Sequence, residues 1–191
     1  KYVPEELMSE ALEIVRSIQN ESFLAYTLIG LAKYLPEVMM GEVLTVIRSI
    51  QNECSRADAL RELAEYMPEK LINEVLALAR SIQDEYSRAL ALRGLAKYVP
   101  EVANEVLTVV RSIQNEASRI DALIRLAEYV PEELMNEALE IVRFLQDEFP
   151  RASALQGLTA HMPEIVIEAL DVVRSIRNES SRASALRGVA K

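Results

Sequence analysis

The sequence of 191 residues has no tryptophan, one cysteine, one histidine, five glycines and only 5% aromatic residues. A β-sandwich needs more turn residues and more aromatic residues, so the composition favours helices packed through aliphatic side chains. The single cysteine, Cys54, excludes a disulfide within the chain and fits a reducing compartment, which we take to be the cytoplasm. No apolar run reaches the roughly 18 residues that a membrane-spanning helix needs. The sequence shows no signal peptide. It also lacks an initiator methionine, so we expect a fragment of a longer protein.

Positive charge is also scarce, with 21 Lys and Arg against 30 Asp and Glu and a net charge of −9. A field of this sign repels nucleic acids and anionic membranes, so neither is an expected partner. There is no glycine-rich phosphate loop, and the only histidine, His161, has no metal ligands at suitable spacing. The sequence therefore predicts no catalytic residue, no cofactor and no metal site, and Cys54 is interpreted as exposed rather than nucleophilic.

A repeat of about 32 residues organises the whole chain. Its clearest mark is a proline that recurs every 31 or 32 residues and is followed each time by Glu: Pro4, Pro36, Pro68, Pro100, Pro131 and Pro163. Two residues before the proline stands a tyrosine, replaced in the last repeat by His161, which we interpret as a packing residue. Such periodicity is typical of arrays of stacked supersecondary units.

Each repeat is predicted to form two helices. Helix A begins at the proline, and an Asn or Asp about 16 residues later caps the start of helix B. Loops of two or three residues make the two helices antiparallel neighbours. The predicted fold is therefore all-α: a right-handed α-solenoid of six stacked antiparallel two-helix repeats in one domain, 1–191. The repeats span 1–32, 33–64, 65–96, 97–127, 128–159 and 160–190.

When the repeats are aligned with one another, each aligned position forms a column. Columns that hold the same type of residue from repeat to repeat are interpreted as scaffold. An arginine in helix A recurs together with two glutamates, a pattern that fits a ladder of ion pairs between repeats: Arg16, Arg48, Arg80, Arg111, Arg143 and Arg174. A glycine column in helix B indicates close packing rather than approach of a ligand: Gly30, Gly94, Gly157 and Gly188.

Columns that change from repeat to repeat are candidates for recognition. In helix B they lie at offsets 0, 4, 7 and 11 from Ser22 and its equivalents, which is one helical face. Exposed aromatic and aliphatic residues mixed with Arg and Asp are typical of protein interfaces; the alternative is a solvent face free to drift. The predicted binding surface comprises Tyr26, Ile29, Asp58, Arg61, Tyr86, Leu90, Arg93, Asp121, Ile124, Phe149, Ser153, Gln156, Ser184 and Arg187. Phe144 and Pro150 depart from their columns and mark a possible local recognition feature.

The repeat, PEELMxEALEIVRSIQNExSRAxALRxLAxYxPE, resembles the HEAT-like and TPR-like α-solenoid arrays of large bacterial, cyanobacterial-type multidomain proteins. It departs from the TPR pattern because the Trp-Leu-Gly-Tyr signature is missing. The resemblance implies a sensor or scaffold segment of a larger protein. The changing columns predict a protein- or peptide-binding or scaffolding module that uses a concave helix B surface. Two alternatives stay open: a helical-repeat enzyme of glycosylase or lyase type, and a passive spacer in a larger sensor protein.

Overall fold

The computed structural model describes residues 5–127, 132–159 and 161–189, and in these residues it contains helices and no strand. The prediction of an all-α fold is confirmed. The chain divides into two compact units, Lys1–Val99 and Pro100–Lys191. The predicted positions of Pro4 and Pro131 lie outside the described residues.

The first unit contains three helical hairpins. Within it, α2 packs against α4 and α4 packs against α6, so the second helices of successive hairpins are neighbours. The α-helices are α1 (Glu5–Arg16), α2 (Glu21–Ala32), α3 (Met40–Ser49), α4 (Glu53–Leu63), α5 (Ile72–Arg80) and α6 (Glu85–Ala96). Short 3-10 turns span Glu37–Met39, Ala64–Tyr66 and Glu69–Leu71.

The second unit repeats this arrangement. Here α10 contacts both α8 and α12, and α7 contacts α9. The α-helices are α7 (Val102–Ser112), α8 (Glu116–Ala127), α9 (Glu132–Arg143), α10 (Glu148–Thr159), α11 (Val166–Ser175) and α12 (Glu179–Val189), with a 3-10 turn at Pro163–Ile165.

The predicted caps are present at the start of five second helices. At Asp147 the prediction is wrong, because the donor position holds Pro150, which has no N–H. The Asn52 side chain accepts a hydrogen bond of 2.8 Å from the Ser55 N–H, and Asp84 accepts one of 2.7 Å from the Ser87 N–H. The same contact occurs at Asn20, Asn115 and Asn178. Each cap satisfies an N–H group that the first helical turn leaves without a partner, a contribution of about 1 kcal/mol.

At Pro36, Pro68 and Pro100 the first helix of the hairpin does not begin at the proline as predicted. Pro36 has an extended ψ of 148° and precedes the 3-10 turn Glu37–Met39, so α3 begins only at Met40. The physical reason is that the proline carbonyl accepts a three-residue turn bond, from the Met39 N–H at 2.9 Å. In the last hairpin the proline, Pro163, is itself the first residue of the 3-10 turn.

Leucines of the second helices form the centre of each unit. Leu28, Leu60 and Leu92 occupy one column in the first unit and are fully buried, as is Leu155 in the second. Burying such a side chain stabilises the fold by about 1.5–3 kcal/mol. The full burial of these leucines fits the packing of α2 on α4 and of α4 on α6, by which successive hairpins stack.

The predicted ion pairs between successive hairpins are present inside both units. In the first unit Arg48 lies 2.6 Å from Glu74, with an equivalent pair formed by Arg16 and Glu42. In the second unit Arg143 binds Glu168 through two contacts of 2.9 and 2.8 Å, and Arg111 binds Glu137. The Arg143 pair lowers the pKa of the Glu168 carboxyl. The pairs are solvent-exposed, so each contributes about 1 kcal/mol or less.

A second link between hairpins was not predicted. The Glu53 carboxylate at the start of α4 accepts hydrogen bonds of 2.9 and 2.7 Å from the backbone N–H groups of Gln83 and Asp84 in the next hairpin. Glu21 binds the N–H groups of Gln51 and Asn52 in the same way. We call this contact the carboxylate clamp; sequence reasoning had assigned these glutamates only to the helix dipole and to ion pairs.

Candidate functional site

The changing columns of α2 and α4 lie together along one groove of about 630 Å³. We call it the α2–α4 groove. Its lining contains six residues of the changing face, three from each helix: Ser22, Tyr26, Ile29, Cys54, Asp58 and Arg61. Ala25, Asn52, Ser55 and Glu62 complete it. Residues that the sequence separates by a whole repeat thus share one surface.

One part of the α2–α4 groove is apolar. Tyr26 is 78% exposed, and Ile29 beside it is half-buried. Near the starts of the two helices, the hydroxyl oxygens of Ser22 in α2 and Ser55 in α4 lie 3.1 Å apart, and this hydrogen bond joins the helices. An aromatic ring exposed at the edge of an aliphatic wall provides a large contact area for a second molecule.

The other part of the α2–α4 groove is charged. The Arg61 guanidinium lies 3.2 Å from an Asp58 oxygen and 2.8 Å from a Glu62 oxygen. Two carboxylates therefore flank one arginine, and the cluster has a formal charge of −1. The carboxylates are partly exposed, so they can also bind a cation from outside the chain.

The width of the α2–α4 groove depends on the residue in the glycine column. Between α4 and α6 that residue is Gly94, and a Cβ atom there would lie only 2.7 Å from the Arg61 Cα. The backbones of α4 and α6 are therefore in contact. Between α2 and α4 the column instead holds Glu62, which carries a Cβ atom and lines the groove. The groove lies where the column has no glycine.

Cys54 lies on the rim of the α2–α4 groove and is exposed. Partial burial raises the pKa of its thiol, and the negative charges of Asp58 and Asp84 raise it further. A raised pKa keeps the sulfur protonated at neutral pH, whereas a nucleophilic cysteine needs a thiolate. The environment of Cys54 therefore suits a residue that lines a binding surface and does not react as a nucleophile.

The predicted surface is interrupted in α6. Leu90 and Arg93, both expected to face outward, are each only 8% exposed, and Tyr86 is half-buried. The prediction of exposure is wrong at Leu90 and Arg93. A column can vary because different side chains fill a buried space, so variation alone does not indicate exposure.

In the second unit the predicted residues divide into two groups. Ile124 contacts the position of the Gly157 Cβ, and Gln156 that of the Gly188 Cβ, so offset 7 takes part in packing between hairpins. The remaining residues are partly or fully exposed: Asp121, Phe149, Ser153, Ser184 and Arg187. Asp121 accepts a hydrogen bond of 2.6 Å from Arg125. Three hollows of this unit are lined by other residues.

Two single residues complete the comparison with the sequence. Phe144 is 75% exposed and lines a separate hollow of about 270 Å³ with Arg111, Arg119, Glu140 and Ile141. His161, expected to pack like the tyrosines of its column, is exposed. That column lies at the surface elsewhere too, since Tyr34 is exposed beneath the Lys33 ammonium at 4.9 Å.

The described residues contain no group of three or more side chains arranged to hold a metal ion. None of the helices in the described ranges is long and apolar enough to cross a membrane. The class that fold and groove define is an all-helical protein built from repeated hairpins. Comparison of the chain with protein-family models, with curated proteins and with solved structures found no match.

Proposed function

We propose that this chain is a binding module rather than an enzyme, and that the α2–α4 groove takes an extended peptide segment of a partner protein. The observation that carries the proposal is the meeting of six changing residues, from two repeats, along one groove. The groove lining therefore comes largely from columns that change from repeat to repeat.

The apolar part of the groove supports an apolar anchor residue in the peptide. Tyr26 and Ile29 present a ring and a branched aliphatic side chain side by side. Covering such a surface removes apolar area from water, at about 25 cal/mol per Å². Tyrosine is also among the residues that contribute most at protein interfaces.

The charged part of the groove supports a Lys or Arg next to that anchor. Asp58 and Glu62 both pair with Arg61 among the described residues, so one further cation would balance this three-residue cluster. The net charge of −9 attracts basic segments and repels acidic ones. The ligand is therefore a basic segment with an aliphatic or aromatic residue beside its cation.

We also propose that the six repeats continue as a right-handed α-solenoid with the helix B face concave. The constant spacing of prolines and arginines supports it, because a fixed register between neighbours generates a regular superhelix. At about 8–10 Å per helix layer, the stack would be on the order of 50–60 Å long. Small-angle X-ray scattering tests this: a distance distribution of a compact sphere would contradict it.

The groove is tested by selecting peptides from a random display library on the immobilised chain. We expect enrichment of sequences in which Lys or Arg adjoins an aliphatic or aromatic residue. Synthetic copies of the enriched peptides should bind the wild type. Their affinity for the double variant Tyr26→Ala, Ile29→Ser should be lower by about tenfold or more.

The matched control is Tyr34→Ala, which removes an exposed tyrosine outside the groove. It should leave the affinity unchanged. If the selected peptides bind the double variant as well as the wild type, the α2–α4 groove is not the recognition site.

A further inference from the structure

Phe144, directly after α9, presents a large apolar side chain where the other repeats present serine, and it is 75% exposed. The serines of this column are exposed too, and each donates a hydrogen bond of 2.7 Å to the carbonyl three residues before it: Ser17, Ser49, Ser81, Ser112 and Ser175. The column therefore faces water in every repeat. Because the other repeats fold with serine at this position, packing of the array does not account for the phenylalanine.

The hollow beside Phe144 lies between two hairpins of the second unit. Arg111 comes from α7 and Arg119 from α8, whereas Glu140 and Ile141 belong to α9. We call this the Phe144 hollow. Its volume of about 270 Å³ lies below the roughly 300–1,000 Å³ of pockets that enclose a small-molecule ligand. The hollow therefore suits a single side chain of a partner rather than a cofactor.

Two of the three charged side chains in the Phe144 hollow already have partners. Arg111 lies 2.5 Å from a Glu137 oxygen, and Glu140 lies 2.7 Å from the Arg143 guanidinium. Arg119 is half-buried, and its Nε atom is buried without a hydrogen-bond partner. The lining has a formal charge of +1, and Arg119 carries it.

The equivalent arginine in the second hairpin shows what Arg119 lacks. Arg56 donates a hydrogen bond of 3.1 Å to the Ile50 carbonyl and lies 3.2 Å from a Glu53 oxygen. Among the described residues, Arg119 makes neither contact. Its guanidinium therefore keeps donors for an acceptor that comes from outside the chain.

We propose that the Phe144 hollow binds an acidic segment of a partner protein. In this segment an Asp or Glu pairs with Arg119, and a neighbouring aliphatic or aromatic residue covers the Phe144 ring. A guanidinium can hold a carboxylate through two parallel hydrogen bonds. Covering the ring removes a large apolar area from water. The proposal does not rest on the α2–α4 groove, whose proposed ligand is basic.

The charge of the whole chain opposes an acidic ligand at long range only. A net charge of −9 repels such a segment, but at about 0.15 M salt this repulsion is screened beyond roughly 8 Å. A contact with the half-buried Arg119 is screened much less. Affinity for the segment is therefore determined by the lining of the Phe144 hollow.

A subtractive peptide selection tests the proposal. A random display library is first depleted on the immobilised Phe144→Ser chain, and the remaining peptides are selected on the wild type. Phe144→Ser restores the serine of the other repeats and leaves the α2–α4 groove intact, so the depletion also removes peptides that bind this groove. We expect enrichment of sequences in which Asp or Glu adjoins an aliphatic or aromatic residue.

The affinities of synthetic copies, measured by fluorescence anisotropy, identify the contacts. The dissociation constant should rise at least about tenfold for Phe144→Ser and for Arg119→Gln. Arg119→Lys keeps the positive charge but not the two parallel donors, so it should lose less than Arg119→Gln. The double variant Tyr26→Ala, Ile29→Ser should bind these peptides as the wild type does, so the two sites can fail separately.

A fluorescent reporter shows where the peptides bind. The chain has no tryptophan, so Phe144→Trp introduces a single indole at the hollow. Its emission should change when a selected peptide is added, whereas that of the control Tyr34→Trp should not. Enrichment of basic or uncharged peptides would overturn the proposal, as would a failure to find any peptide that prefers the wild type to Phe144→Ser. If Arg119→Gln does not fold, Phe144→Ser and the reporter decide.

Discussion

Gly94 and Arg61 are in contact through their backbones, because a Cβ atom at Gly94 would lie 2.7 Å from the Arg61 Cα and 2.9 Å from its carbonyl oxygen. Both atoms belong to the main chain of α4, so neither can move without moving the helix. Gly94 therefore sets how closely α4 and α6 approach. Gly30 occupies the same column of α2 and has no neighbour within 4 Å.

The first prediction compares these two glycines. Gly94→Ala should lower the free energy of unfolding by about 1–3 kcal/mol, since the added methyl group forces the helices apart. Gly30→Ala should raise it by about 0.5–1 kcal/mol, since alanine favours the helix and meets no obstacle. Urea denaturation at low protein concentration measures both. Equal effects of the two substitutions would show that packing at Gly94 is not limiting.

The second prediction concerns the carboxylate clamp. The backbone N–H groups of Gln83 and Asp84 lower the pKa of the Glu53 carboxyl below its ordinary value of 4.5. The stability from this contact is therefore complete above about pH 4.5 and is lost as the pH falls through the lower folded pKa. Glu53→Gln should lower the free energy of unfolding at pH 7 by about 1 kcal/mol, allowing for solvent screening.

The pH dependence separates this effect from a simple loss of packing. The difference between wild type and Glu53→Gln in urea midpoint should shrink between pH 4.5 and pH 2, as the wild-type carboxylate becomes protonated. Glu69→Gln, at an exposed position before α5, is the control and should match the wild type at every pH. A difference that stays constant down to pH 2 would rule out the ionised clamp.

The third prediction concerns the width of the α2–α4 groove. Glu62→Gly places a glycine where α4 faces α2, so the two helices can approach as α4 and α6 do. A peptide selected on the wild type should then bind at least about tenfold more weakly by calorimetry. Glu62→Ala also removes the carboxylate but keeps a Cβ atom, and it should retain more of the affinity. If both variants lose the same amount, residue 62 contributes charge and not width.

The fourth prediction concerns Cys54. Because burial and then the Asp58 and Asp84 charges raise the pKa of its thiol, iodoacetamide should react with it more slowly at pH 7.5 than with a free cysteine. Asp58→Asn removes one of the charges and should speed the reaction by about two- to fivefold. Asp171→Asn, in the second unit, should not change the rate. A faster reaction in the wild type than in free cysteine would contradict the assigned environment.

Contacts between residues at fixed spacing were predictable from the sequence. The cap at Asn52 follows from a side chain that accepts a hydrogen bond at the start of a helix. The pair of Arg48 and Glu74 follows from two columns of opposite charge that recur together. The caps depend on the spacing of nearby residues, and the ion pairs depend on a spacing that recurs in every repeat. Both spacings can be read from a single sequence.

Exposure at the candidate site was less predictable. Tyr26 and Leu90 occupy the same column, yet one is exposed and the other is buried. The α2–α4 groove holds Glu62 where the next hairpin holds Gly94. The effect of this difference on the groove can be judged only once the helix that faces residue 62 is known. The sequence does not predict the carboxylate clamp, because the donors are backbone N–H groups, which every residue except proline carries.

The links between hairpins have a consequence for folding. Ion pairs and clamps inside each unit join residues 25 to 31 positions apart. The entropy lost in closing each loop is therefore nearly constant and does not rise with the number of hairpins. Such a chain has low contact order, which favours fast folding, and nucleation can start at any neighbouring pair of hairpins and spread outward. Its cooperativity then depends on the coupling between neighbouring hairpins, to which each clamp and each ion pair contributes.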